Sequence, residues 1–72
     1  MTTPYERTRA LLYTREFLEE LQSIQKWPQL PDTLRRRAKA LARHYPEPWH
    51  MHKLHEHIPA FYDSPDSISE DS

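Results

Sequence analysis

The sequence predicts an all-α protein: a two-helix antiparallel hairpin, a short third helix and a disordered acidic C-terminal tail. Three observations carry that prediction. Apolar residues recur at helical spacing, with no alternating strand-like stretch anywhere in the 72 residues. The internal prolines fall between the periodic segments and divide the chain into pieces of helical length. The opening Thr3-Pro4-Tyr5-Glu6 is a helix-start signal.

In that signal Thr3 is the N-cap, Pro4 the first helical residue, and Glu6 the acid that reaches back to the cap's amide. No proline follows until Pro28, so the first helix is expected over residues 4–25. At about 100° per residue, Ala10, Tyr13, Thr14, Phe17, Leu21 and Ile24 gather on one face, widened by Leu11 and Leu18. That face is read as core. Arg9, Arg15, Glu16, Glu19 and Glu20 lie opposite, and Arg15 has the spacing to pair with Glu19. Tyr5 and Leu12 form a small second patch on the charged side.

Trp27-Pro28-Gln29-Leu30-Pro31 is a proline-bracketed connector, and Trp27 and Leu30 are expected to fold back over the helix ends. The second helix is expected over 32–45, opened by Asp32 and stopped by Pro46. Leu34, Ala38, Leu41, Ala42 and Tyr45 form its narrow apolar stripe, and arginine and lysine fill the rest. The third helix, 48–57, places Met51, Leu54 and Ile58 together. Residues 1–62 are thus read as one small helical domain. Residues 63–72 carry four acids, four serines and no base, too little apolar surface to offset the entropy of ordering them.

Composition excludes several chemistries. Without glycine there is no phosphate-cradling loop, dinucleotide fingerprint or nucleophile elbow. Without cysteine there is no disulfide, thiolate zinc site or thiol nucleophile. No stretch is long and apolar enough to span a bilayer, and the N-terminus lacks the apolar run of a signal peptide. The cytoplasm is therefore the default location. A domain this short buries only ~60% of its unfolded surface, so a partner or a second copy is an expected source of stability.

Two clusters could carry chemistry. Four histidines fall between His50 and His57, and His52 with Glu56, or with His55, has the one-turn spacing of metal ligands. They spread round the helix rather than converging, and nothing completes a site, so no metal and no cofactor is expected. Arg35, Arg36, Lys39 and Arg43 form a basic helical face able to meet phosphates. Between Gln25 and Tyr45 six basic residues stand against one acid, yet the whole chain carries a net charge of −1. That balance disfavours a dedicated nucleic-acid binder. No Ser/His/Asp grouping falls on the ordered elements, so no enzyme is expected.

The blocks Met1-Thr2-Thr3-Pro4-Tyr5-Glu6-Arg7-Thr8-Arg9-Ala10, Thr14-Arg15-Glu16-Phe17-Leu18 and Arg43-His44-Tyr45-Pro46 resemble a family of short proteobacterial proteins. Its members share the capped ERTRA opening and an RHYP-like ending. The resemblance covers roughly residues 1–48 and implies no activity, because the family has none established. The histidine-rich segment and acidic tail depart from its pattern.

The reading that follows is a small regulatory or adaptor protein, with inhibitor-like and antitoxin-like binders both open, acting by helix-mediated contact with another protein or a second copy. Tyr5, Leu12, Arg15, Trp27, Phe61 and Tyr62 are its candidate contact residues. The alternative is a nucleic-acid-associated protein using the basic second helix.

Overall fold

The first helix begins where its cap dictates. The computed structural model describes residues 2–68 and gives α1 over Pro4–Glu20. The Glu6 amide donates to Thr3 Oγ1 at 3.1 Å, and the Thr3 amide donates to Glu6 Oε1 at 3.0 Å. Two otherwise orphaned helix donors are satisfied by this reciprocal cap. It also holds the Glu6 carboxyl below its ordinary value, chiefly through the Thr3 backbone hydrogen bond and then the Thr3 side chain.

The other end departs from expectation. α1 stops at Glu20 rather than continuing to Gln25. The Gln22 and Ser23 amides donate to Glu19 and Glu20 carbonyls three residues back, at 3.2 and 2.9 Å, so the last turn tightens. Gln22 Nε2 reaches the Leu18 carbonyl at 3.3 Å, and Ser23 Oγ accepts the Lys26 amide at 3.3 Å. Polar side chains thus offer the backbone an alternative to helical bonds well before Pro28 intervenes.

α2 spans Asp32–Arg43, ending before the expected Tyr45, and α3 spans Pro48–His57, as the prolines predict. With no glycine available, neither α2 nor α3 closes through a left-handed residue: no described residue has positive φ. Their C-caps, His44 (φ −114°) and Ile58 (φ −137°), are right-handed or extended instead.

Among the described residues the fold is all-α with three α-helices, α1 and α2 forming a hairpin-like pair and α3 a short third helix. It resolves into two compact units, one of Met1–Leu12 with Pro46–Ser72 and the other of Tyr13–Tyr45. The chain enters the first unit, leaves it midway along α1, and returns.

The faces match those the periodicity selects only in part. On α1 the fully buried residue is Thr8, while Leu11, Leu12, Arg15 and Leu18 are partly covered. The expected core face is divided: Leu11, Tyr13, Leu18 and Leu21 are partly covered, whereas Ala10 and Thr14 are exposed, Phe17 is 51% exposed and Ile24 is 68% exposed. The cause lies in the sequence itself. Apolar residues ring α1 almost completely, so helical spacing alone does not single out one side. On α2 only Ala38 is buried, and Leu34 and Leu41 on either side of it are half exposed or more. α3 follows expectation better, with Met51 buried and Leu54 partly so, although Ile58 is exposed. Of the connector residues expected to fold back, Trp27 is 43% exposed and Leu30 is partly covered.

A further correction concerns the tail. Residues 63–68, expected to be disordered, form a defined segment ending in a 3-10 turn over Pro65–Ser67 that packs against α3. Ser64 Oγ caps this turn by accepting the Asp66 amide at 3.3 Å. The expectation for 69–72 lies outside the described residues.

Candidate interaction surfaces

In the first unit, side chains from two helices seize three consecutive backbone carbonyls. Arg7 Nε donates to the Phe61 carbonyl at 2.7 Å, His55 Nδ1 meets the Tyr62 carbonyl at 3.0 Å, and Thr8 Oγ1 donates to the Asp63 carbonyl at 2.9 Å. The Asp63 amide returns a bond to the Pro4 carbonyl at 3.4 Å. A carbonyl only accepts, so the His55 hydrogen sits on Nδ1. Arg7 Nη1 also holds Thr2 through its carbonyl and hydroxyl, at 2.7 and 2.9 Å. The effect is a strap, residues 61–63, tied by its backbone while Phe61 remains 59% exposed. An exposed aromatic on a fixed backbone loses little entropy when a partner covers it.

The N-terminus of α3 carries a second aromatic. Trp49 Nε1 donates to Glu47 Oε2 at 2.9 Å and its ring stacks on His50, centroids 3.7 Å apart. The Glu47 amide donates to His50 Nδ1 at 3.0 Å, which places the His50 hydrogen on Nε2, the tautomer opposite to that of His55.

The Tyr13–Tyr45 unit is built differently. Arg35, one of the candidate phosphate ligands, turns its guanidinium onto the connector. Nη2 donates to the carbonyls of Trp27 and Leu30 at 2.7 and 3.4 Å, and Nη1 to that of Leu21 at 3.4 Å. It organises the loop rather than facing a ligand. The other three candidates, Arg36, Lys39 and Arg43, are exposed and line an open groove with Glu19 and Gln22. Arg15 pairs with Glu19 at 2.9 Å, as its spacing predicts, and Lys26 pairs with Glu20 at 3.3 Å.

Of the candidate contact residues, Trp27 and Phe61 are exposed, whereas Tyr5, Leu12, Arg15 and Tyr62 are partly covered. The histidine candidates point to separate neighbours. His52 Nε2 lies 3.8 Å from Asp66 Oδ1, His55 holds the strap, and Glu56 pairs with Lys53 at 3.2 Å. Among the described residues no three His, Cys, Asp or Glu side chains stand close enough to hold a metal ion.

No family model, no curated protein and no solved structure matches this chain.

Sequence reasoning missed Arg7 and Thr8 as strap holders and Phe17, Ile24, Leu34 and Leu41 as surface. The strap left little local signal, because Arg7 and Thr8 lie more than fifty positions from it and all three side chains bind backbone carbonyls. No described helix is long and apolar enough to cross a membrane.

Proposed function

We propose that this chain is a non-enzymatic binding protein that acts through helix-mediated contact with another protein, in a regulatory or adaptor role. One observation carries the reading. In the Tyr13–Tyr45 unit, Phe17, Ile24, Trp27, Leu34 and Leu41 are all substantially exposed, and Ala38 is the buried hydrophobic side chain. A helical pair with so small a core draws little stability from itself, and exposed large apolar side chains in such number fit a surface that another molecule covers. The exposed, backbone-fixed Phe61 supports the same reading independently. The resemblance of residues 1–48 to the short proteobacterial family carries no activity into it.

The alternative, a nucleic-acid role for α2, draws support from the exposed Arg36, Lys39 and Arg43. It is weakened by the inward turn of Arg35 and by the net charge of −1.

Capture from native cell lysate, with and without nuclease, tests the reading when the wild type is run beside Phe17→Ser/Leu41→Ser. The expected result is a stoichiometric protein that survives nuclease and is lost from the double variant. If nothing else binds, dimerisation abolished by the double variant makes a second copy the partner. Loss of all bound material on nuclease treatment, or a wild type that is monomeric and captures nothing, overturns the reading.

A further inference from the structure

The Tyr13–Tyr45 unit distributes its charges unevenly. On α1 and the turn after it, Glu19 and Glu20 already have cationic partners in Arg15 and Lys26. On α2 the reverse holds: Arg36, Arg37, Lys39 and Arg43 are exposed and join no ion pair among the described residues. Arg36, Lys39 and Arg43 recur at i, i+3 and i+7, so they form one stripe about 10 Å long beside the groove that Glu19 and Gln22 complete. Glu19, the acid in that groove, is paired with Arg15, and Asp32 lies farther along it.

Resting on the reading above and specifying its partner, we propose that this groove receives an acidic helical segment of a partner protein, its carboxylates spaced one turn apart to meet Arg36, Lys39 and Arg43. Carboxylates on such a helix recur about every 5.4 Å, which matches a stripe built on the same pitch. A polar neutral residue of the segment faces Glu19. A nucleic-acid strand, carrying a charge every ~3.4 Å, has no such freedom and meets the carboxylates of Glu19 and, farther along the groove, Asp32.

Fluorescence anisotropy of the full chain with two labelled probes tests this. One probe is a synthetic helix with glutamate recurring along one stripe; the other is single-stranded DNA of equal net charge. The expected result is binding of the peptide, weakened about tenfold or more between low and physiological salt. Arg36→Gln/Lys39→Gln/Arg43→Gln should lose that binding while its circular dichroism spectrum is unchanged. Equal or tighter binding of the DNA, binding of neither probe, or peptide binding that the triple variant retains overturns the proposal. Lysate capture keeps the two readings apart. A partner retained by the triple variant but lost from Phe17→Ser/Leu41→Ser removes the acidic segment and leaves the apolar interaction standing.

Discussion

Arg35 and Arg36 are neighbours in sequence with opposite duties. The guanidinium of Arg35 satisfies three carbonyls around the connector, whereas Arg36 faces the open groove. Arg35→Gln is expected to cost about 1–2 kcal/mol, since charge-assisted hydrogen bonds are lost from a partly covered site. Arg36→Gln should stay within ~0.5 kcal/mol. Chemical denaturation of both variants checks the contrast, and equal losses would remove the loop-organising role of Arg35. Composition read the two as equivalent members of one basic face. What separates them is the geometry of the Trp27–Pro31 connector, which a helical wheel does not contain. The Thr3–Glu6 cap and the Arg15–Glu19 pair were legible because both ends of each interaction lie within about one turn.

At the scale of elements, starts were more legible than ends. All three helices begin at a proline-marked boundary, where a fixed φ and a missing amide proton have an unambiguous meaning. The end of α1 depends on competition among Gln22, Ser23 and the backbone, a balance of small energies with no single breaker. The opening cap also makes α1 sensitive to acid. The Glu6 carboxyl is lowered in the folded chain, so its stabilisation is present in full above the ordinary value of 4.5 and is lost as pH falls through the lowered one. Glu6→Gln should show less helicity than wild type at neutral pH and a flatter helicity profile on acidification. Circular dichroism across that range decides, and superimposable profiles would show that the charge at the cap contributes nothing. The side-chain amide introduced by Glu6→Gln still has a carbonyl oxygen to accept the Thr3 amide proton, so the difference isolates the charge.

At the scale of the molecule, the buried hydrophobic side chains among the described residues are Met51 and Ala38, one in each unit. Truncating Met51 to alanine is expected to cost roughly 2–5 kcal/mol, a large share of what a chain this size holds in reserve. Phe17→Ser should leave the melting temperature nearly unchanged, the reverse of what its place on the predicted core face implies. Thermal denaturation of the two variants side by side checks this; a Phe17→Ser protein that unfolds as readily as Met51→Ala would return Phe17 to the core. Helix number and order were readable from proline placement alone. The division into two units was not, because it follows from which parts of the chain touch, and residues 61–63 bring the C-terminal segment to the start of α1.

That strap sets an order of events. Tyr13–Tyr45 is continuous in sequence, so its contacts form from neighbouring residues as the chain emerges from the ribosome N-terminus first. The strap bonds of Arg7 and Thr8 instead join residues 54 and 55 positions apart. Such bonds carry the loop-closure entropy of nearly the whole chain and cannot form before synthesis has reached Asp63. The hairpin unit is therefore able to assemble during translation, while the unit that displays Phe61 is completed only once synthesis has passed Asp63, and a premature stop before the strap leaves Arg7 and Thr8 without the carbonyls they hold.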